Sequence, residues 1–437
     1  MRTRARKLFG TMAALTVLAS LTPAQVRAED RNEDLRKQAL KLNEITGKEA
    51  RLGEQEKLLK DKAAAKKLVA EAARMAAEKP QPFTYNATLI LGTIAFRLKD
   101  YGAAEKFYRV HLDQAKQLRS AKGLMDAYLG LVNSLYNRRK YAQAEKLCAE
   151  ATQNETIIAA LQNLAAEKQK DDEQKELKFF ISLMLETQIN AVALQGDADR
   201  AIKLIDRILG ERADDWPGLE LKGLAFRLAG KNEDAIKAYE DEIQRLKEDN
   251  DLKKKDKEKE IDKARYAQSG IYIELDQVDK AVEVLKELVA KHPDNATYNN
   301  DLGYVLADHN MKLDEAEKMI RKALELERKK LQEKNPELKP EEIKEPGAYL
   351  DSLGWVLYKQ KKYVEAKRYL RQAVQNAIEQ DEPESIEIYD HLGDVLLALG
   401  QKAEAVEAWK KGVAVATESK RDQKRKEEVQ KKIKANE

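Results

Sequence analysis

The stretch LDSLGWVLY at residues 350–358, followed by YVEAKRYLRQA at residues 363–373, decides the fold. Its apolar residues recur three and four positions apart, which is the spacing of one face of a helix. Small residues, Gly354 and Ala366, stand where two antiparallel helices would approach most closely. The stretch therefore predicts two helices joined by a short turn and packed against each other.

The same skeleton of small and apolar positions recurs along the chain. Its equivalent central residues are Gly92, Val132, Ile189, Gly223, Ser269, Gly303, Gly354 and Gly393. Two of the intervals, from 189 to 223 and from 269 to 303, span 34 residues, the period of the tetratricopeptide repeat. The pattern resembles that family, in which helix A and helix B of each repeat pack antiparallel. The other intervals are longer, and we interpret the charged stretches 246–263 and 328–346 as lengthened helices or linking arms.

The resemblance implies an all-α fold, a right-handed superhelical solenoid of helix-turn-helix repeats. We expect about eight repeats with charged helical insertions over residues 84–417. A helical cap at residues 29–83 would shield the first repeat, because a solenoid needs a polar end. Residues 418–437 are nearly all charged or polar and predict a frayed, solvent-exposed helix.

The composition agrees with a helical fold and disfavours nucleic-acid binding. Charged residues make up 36% and aromatic residues 6% of the 437, with only 9 Pro and 19 Gly, so strong helix formers dominate. The formal net charge of +3 includes +5 from residues 1–28, which leaves −2 for the rest. There lysines and acids are interspersed as on solvated helix faces, whereas nucleic acid requires a one-sided basic surface.

The first 28 residues have the features of a secretory signal peptide. A basic start at Arg2–Lys7 precedes an apolar stretch at Leu8–Leu21, and small residues lead up to Ala28. We expect cleavage after Ala28 and an exported protein, either periplasmic or extracellular. The alternative is an uncleaved membrane anchor. No later segment is expected to be apolar enough to span a membrane, so no stable membrane insertion is expected after removal of the signal.

No sequence motif predicts an enzyme, a cofactor or a metal site. The single cysteine, Cys148, falls at a core position of a repeat and is interpreted as a small buried apolar residue. The four histidines, His111, His292, His309 and His391, are isolated in sequence and form no H-E-x-x-H motif. We interpret His309 and His391 as turn and helix-surface residues; a zinc site assembled across repeats stays open.

The resemblance places a partner-binding groove on the concave side of the solenoid, lined by the A helices. Candidate inward-facing residues are Phe96, Asn133, Tyr136, Asn190, Asn300, Tyr304, Ala307, Asp351, Trp355, Tyr358, Asp390, Asp394 and Leu397. Aromatic rings and side-chain amides suit an extended peptide or a partner helix. The alternative for Trp355 and Tyr358 is that they pack between adjacent A helices.

These features favour an exported, non-catalytic scaffold that binds proteins or peptides. The alternative is a regulatory or chaperone-like subunit of an envelope polysaccharide, peptidoglycan or secretion complex. Some members of the family bind an acidic C-terminal carboxylate with lysine and asparagine. Here Asn133 and Asn190 are present, but Leu129 and Glu186 stand where a lysine is needed, so that activity is disfavoured. The sequence does not specify the oligomeric state.

Overall fold

The computed structural model describes residues 23–78, 80–166, 171–339, 342–380, 382–417 and 420–437. These residues form 21 α-helices and no strand, so the prediction of an all-α, helix-turn-helix repeat fold is confirmed. Most of the predicted signal peptide, residues 1–22, lies outside the described residues. The predicted cleavage position after Ala28 falls within the first described helix.

The chain divides into two compact units. Unit 1 extends through Asp214 and includes Leu221–Lys231, and unit 2 comprises Asp215–Glu220 and Asn232–Glu437. The helices of unit 1 are α1 Pro23–Lys41, α2 Lys48–Leu59, α3 Lys62–Met75, α4 Tyr85–Arg97, α5 Tyr101–Leu118, α6 Ala121–Asn137, α7 Tyr141–Thr152, α8 Glu155–Ala166, α9 Asp171–Leu194 and α10 Ala198–Leu209. Helix α11, Trp216–Leu228, crosses the division.

Unit 2 contains the remaining helices. They are α12 Asn232–Glu248, α13 Lys254–Glu274, α14 Val278–Lys291, α15 Ala296–Asp308, α16 Leu313–Lys334, α17 Gly347–Lys359, α18 Tyr363–Glu379, α19 Ile386–Ala398, α20 Lys402–Val415 and α21 Lys420–Asn436. Helices α13 and α16 extend into parts of the two charged stretches.

Eight helix pairs coincide with the predicted repeats, and their turns share one backbone feature. The pairs are α4/α5, α6/α7, α9/α10, α11/α12, α13/α14, α15/α16, α17/α18 and α19/α20. A residue with positive φ stands in each A-to-B turn: Lys99, Arg139, Gly196, Gly230, Asp276, Asn310, Lys361 and Gly400. A left-handed residue lets the next N–H reach back to the helix, as from Lys362 to the Leu357 carbonyl (2.9 Å). Five of the eight are not glycine, and for Lys99, Arg139 and Lys361 the residue type gives no signal of this conformation.

The two helices of a repeat meet at the small residues that the sequence pattern identified. A Cβ atom on Gly354 would lie 2.5 Å from Leu370 Cγ and 3.3 Å from the Ala366 carbonyl oxygen. A Cβ atom on Gly303 would lie 2.7 Å from Ile320 Cγ1. The predicted close approach of helices A and B is therefore confirmed in these repeats.

An inserted helix, α8, accounts for the long interval between the second and third repeats. Helix α9 follows it and is long and apolar enough over Asp172–Leu194 to cross a membrane. The expectation that no segment after the signal would pass that test was therefore wrong. In unit 1, however, Phe180, Met184 and Ile189 of α9 are buried among the repeats, so packing accounts for a large part of its apolar character.

Candidate partner-binding faces

The A helices of the last three repeats, α15, α17 and α19, form a concave face in unit 2. The Tyr304 hydroxyl of α15 donates a 2.7 Å hydrogen bond to the Glu387 carboxylate of α19. Helix α17 is the A helix of the repeat between α15 and α19. A direct bond between these two outer helices therefore requires the row of A helices to curve toward the side that carries Tyr304 and Glu387. Six of the predicted residues lie on these three helices at or beside this face: Tyr304, Asp351, Trp355, Tyr358, Asp390 and Asp394.

A buried ion pair joins α17 to α19 beneath this face. His391 Nδ1 lies 2.9 Å from Asp351 Oδ1, and both side chains are almost fully buried. Burial opposes the charge on His391, but the Asp351 carboxylate outweighs it and holds the pKa of His391 above its usual value. The interpretation of His391 as a helix-surface residue was wrong, because its partner stands forty positions earlier and leaves no local pattern.

Two aromatic rings, of Trp355 and Tyr358, continue a stack that begins at the His391 ring of this pair. Trp355 lies 3.9 Å from the His391 ring and 5.0 Å from the Tyr358 ring, with 14° between the planes in both cases. The Trp355 indole N–H also donates to Asp308 at the end of α15 (2.9 Å). Trp355 is thus 8% exposed and lies between adjacent A helices. Its indole N–H and most of its ring are committed to contacts within the chain.

The C-terminal helix α21, hereafter the tail helix, docks on the exposed end of this face. Its cations meet three acids of α19, hereafter the acidic patch: Glu387, Asp390 and Asp394. The contacts are Arg421 to Glu387 (2.6 Å), Arg425 to Glu387 (2.8 Å) and Asp390 (3.2 Å), and Lys432 to Asp390 and Asp394 (both 2.7 Å). The expectation of a frayed, solvent-exposed tail was wrong, since these ion pairs and the complete burial of Val429 hold the helix in place.

The tail helix changes the electrostatics of the acidic patch. Burial opposes ionisation of Glu387, but Arg425 and Arg421 outweigh burial and hold its pKa below the usual value. For Asp394, burial and the neighbouring Asp390 outweigh the attraction of Lys432, so its pKa is raised. The tail helix thus stabilises the ionised form of Glu387 and offsets only part of the opposing effect at Asp394.

The ion pairs differ in how far they are shielded from water. Arg421 is 68% exposed, and a pair of that kind contributes about 0–1 kcal/mol. Arg425 and Lys432 are 22% and 33% exposed, against partners on α19 that are 19% exposed or less. Water screens these inner pairs less, so they carry more of the docking energy.

In unit 1 the corresponding face carries an open cleft. The cleft has a volume of about 220 Å³ and lies between α4 and α6, with Thr93, Phe96, Leu129 and Asn133 among its lining residues. Phe96 and Leu129 are partly buried, and Asn133 is exposed. Two predicted residues, Phe96 and Asn133, are therefore brought together here, in a site wide enough for a side chain of a bound peptide.

The remaining predicted residues do not line the unit 1 cleft, although Asn300 and Ala307 lie on α15 and Leu397 lies on α19. Tyr136 packs edge-on against Tyr141 with ring centroids 5.2 Å apart, and burial raises the pKa of Tyr136 to about 12. Asn190 and Asn300 each hold a buried side-chain oxygen with no hydrogen-bond partner within the described residues. Each offers an unused acceptor, Asn190 in α9 and Asn300 in α15. Ala307 is buried, and Leu397 is exposed near the end of α19.

Reactive groups among the described residues are few. Burial raises the pKa of the Cys148 thiol to about 12, and the side chain is completely buried, which confirms its interpretation as a core residue. No group of three or more His, Cys, Asp or Glu side chains in the described part of the chain is arranged to hold a metal ion.

Comparison with known proteins identifies the repeats. Family models described as tetratricopeptide repeat match residues 59–119, 188–251, 266–330, 347–375 and 386–417, which together make up more than half of the chain. A TPR repeat-containing protein of Pseudomonas aeruginosa is 30% identical over 208 residues. That match covers 47% of this chain but 30% of the relative, so the chain spans about a third of the relative's length.

Solved structures with similar folds share little sequence with this chain. A tetratricopeptide repeat protein from Parabacteroides merdae is 13% identical, with a TM-score of 0.41 over 68% of this chain and 98% of that one. The APC/C hetero-tetramer Cut9–Hcn1 contains a chain that is 11% identical, with a TM-score of 0.41 over 87% of this chain and 80% of that one. Helix pairs, repeat register and the family matches agree: the chain belongs to the tetratricopeptide-repeat family.

Proposed function

We propose that this protein is a non-catalytic scaffold that binds protein or peptide partners on its A-helix faces. The observation that carries the proposal is the open cleft of unit 1, where Phe96, Leu129 and Asn133 present apolar area beside a side-chain amide. A ring anchors a partner side chain at low entropic cost, and an amide pairs with a peptide backbone.

A second observation supports the same mode of binding. In unit 2 the A-helix face already holds a helix, the tail helix, through paired charges and the buried Val429. A face that docks one amphipathic helix has the shape and polarity for helical partners in general.

The proposal includes export from the cytoplasm. Its support is the order of residues 1–28, a basic start, an apolar stretch and a small-residue end. The intact mass of the protein isolated from its source cells tests this step. A mature chain beginning at Glu29 is expected, and a full-length chain recovered in the cytoplasmic fraction would overturn it.

Site-specific photo-crosslinking in the source cells tests the scaffold function. A photoreactive residue is placed at Asn133, inside the cleft, and in a separate chain at Lys146, which is exposed on the B helix α7. The expected result is one crosslinked protein at position 133 that is absent at position 146. The same product should disappear when Phe96→Asp is added, because the anchor for the partner is then polar and charged.

Two outcomes would count against the scaffold function. Equal crosslinking at positions 133 and 146 would mean that contacts are non-specific. A product at position 133 that survives Phe96→Asp would mean that the cleft does not recognise the partner. Circular dichroism of the Phe96→Asp chain checks that the helices are intact.

A further inference from the structure

We infer that the acidic patch of unit 2 is a binding site for a basic amphipathic helix of another protein, and that the tail helix occupies this site in competition with that partner. The inference rests on the proposed scaffold function and specifies one of its partners. It also assigns a regulatory role to the last 17 residues of the fold, because a docked tail helix would hold the site closed.

The charge pattern of the tail helix is complementary to the patch. Arg421, Arg425, Val429, Lys432 and Ile433 follow one another at helical spacing and so share one face. The three cations contact Glu387, Asp390 and Asp394, while Val429 and Ile433 pack against the apolar core beside them. A partner with the same order of cations and apolar residues would make the same contacts.

The repeats hold the Glu387 carboxylate and the backbone that carries the other two acids. The Tyr304 hydroxyl fixes Glu387, and the Trp409 indole N–H donates to the Asp390 carbonyl (3.3 Å). All three acids belong to α19, which packs closely on α20 where Gly393 meets Trp409. If the tail helix leaves, three neighbouring carboxylates stay together without their cations. Such a site attracts a basic segment and repels an acidic one.

The tail helix buries fewer apolar side chains than the helices beneath it. Eleven of its seventeen residues are charged, and Val429 is its one completely buried apolar side chain. Helix α19, by contrast, buries Ile386, Leu392, Val395 and Leu396. The tail helix therefore contributes little apolar surface of its own to the contact, so a partner with matching charges can replace it.

Hydrogen exchange of the unmodified full chain tests whether the tail helix detaches by itself. Local opening predicts that amides of residues 424–436 exchange about tenfold or more faster than those of α19 and α20. The proposal is overturned if the tail helix, α19 and α20 exchange together as one cooperative unit, because the tail would then be a permanent end cap.

A peptide titration tests the site directly. The probe is a fluorescent peptide of residues 420–437, added to the full chain and to a full chain with Arg425→Glu and Lys432→Glu, which releases its own tail helix. The released chain is expected to bind the peptide about tenfold or more tightly than the unmodified chain, since the tethered competitor is gone. A peptide of the same composition in scrambled order should bind weakly to both.

Two variants make the titration specific. Lys424→Glu with Lys431→Glu reverses the same number of charges at the same spacing on the exposed side of the tail helix, and should behave like the unmodified chain. Adding Asp390→Asn and Asp394→Asn to the released chain should abolish binding. Equal binding to the released chain and to this Asn variant would refute the acidic patch as the site, as would no binding to any chain.

The test also separates other occupants from the one proposed. A concentration-dependent dimer of the unmodified chain that Arg425→Glu and Lys432→Glu abolish would mean that the patch takes the tail of a second copy, which overturns the assignment to another protein. Failure of the peptide titration leaves the crosslinking at Asn133 in unit 1 unaffected. The scaffold function can thus stand while this inference falls.

Discussion

The A-helix faces of unit 1 and unit 2 arise from the same repeat but have different surfaces. In unit 1, Phe96 and Asn133 line an open cleft of about 220 Å³. In unit 2, Trp355 is enclosed between helices, and the acids of α19 are covered by the tail helix. Position within the repeat therefore sets the direction of a side chain, whereas segments distant in sequence decide whether that side chain is free to bind a partner.

The largest difference between the faces should appear when their aromatic residues are truncated. Trp355→Ala removes a buried ring and leaves Asp308 without its indole partner, so it should lower the free energy of unfolding by about 3–5 kcal/mol. Phe96→Ala removes a partly buried ring and should cost about 1 kcal/mol. Urea unfolding of both variants measures the difference. Equal losses of unfolding free energy would contradict the difference between the two faces, because Trp355 would then be no more buried than Phe96.

The two units should respond to pH in opposite directions. His111 in unit 1 is completely buried, and burial lowers its pKa from 6.5 to about 4. Its Nε2 atom has no partner within the described residues, so a proton there would go unsatisfied. Because the unfolded chain binds this proton more readily, unit 1 should lose stability, on the order of 3 kcal/mol, as pH falls from 6.5 to 4.

Unit 2 should lose stability at the other end of the pH range. Burial, with Glu220 and Glu260 nearby, raises the pKa of Glu242 from 4.5 to about 8. The folded chain then holds a proton that the unfolded chain releases. The free energy of unfolding of unit 2 should therefore fall as pH rises from 4.5 to 8. Hydrogen exchange at pH 5, 6.5 and 8, corrected for intrinsic rates, measures both units. Glu242→Gln should reduce the response of unit 2, to which the raised pKa of His391 also contributes. A parallel response of the two units would contradict one of the two assignments.

A smaller effect is expected from overpacking a contact between helices A and B. Gly354→Leu places a side chain where Leu370 and the Ala366 carbonyl already lie and should cost about 1–3 kcal/mol or more. Gly53→Leu is the matched control, because no atom lies within 4 Å of a Cβ at that exposed helical position. Thermal unfolding compares the two. Near-normal stability of Gly354→Leu would mean that the repeat register is wrong.

The smallest effect concerns the outermost ion pair of the tail helix. Arg421 is mostly exposed, so Arg421→Ala should weaken docking by less than about 1 kcal/mol. Tail-helix amides should then exchange up to about fivefold faster at low salt and little faster at high salt, while unit 1 stays unchanged. Lys424→Ala, on the exposed side, provides the control. A change in unit 1, or an effect that grows with salt, would contradict an electrostatic role for Arg421.

The repeats could be predicted from sequence because their signals are local. The small residues of helices A and B stand within about one repeat of each other, and so the close approach at Gly354 and Ala366 was predicted correctly. The inserted helix α8 falls in the longest interval, between Val132 and Ile189, whose excess length was left unassigned.

The residues that form the candidate site could be predicted only in part, because the ion pairs that hold it together join residues distant in sequence. His391 pairs with a residue forty positions away, and Lys432 pairs with residues 38 and 42 positions away. Ion pairs of this kind leave no periodic pattern. The amphipathic order of Arg425, Val429 and Lys432 was the one available signal for docking of the tail helix.

Thiol labelling tests the difference between the two faces most directly. In a Cys148→Ala background, single cysteines replace Asn133 in the cleft, Val429 on the docked side of the tail helix, and Gln430 on its exposed side. We expect the cysteines at 133 and 430 to react at similar rates and the cysteine at 429 to react about tenfold or more slowly. The protection at 429 should be lost in the chain with Arg425→Glu and Lys432→Glu. Equal rates at 429 and 430 in the parent chain would contradict this expectation, because the tail helix would then not cover the face of unit 2.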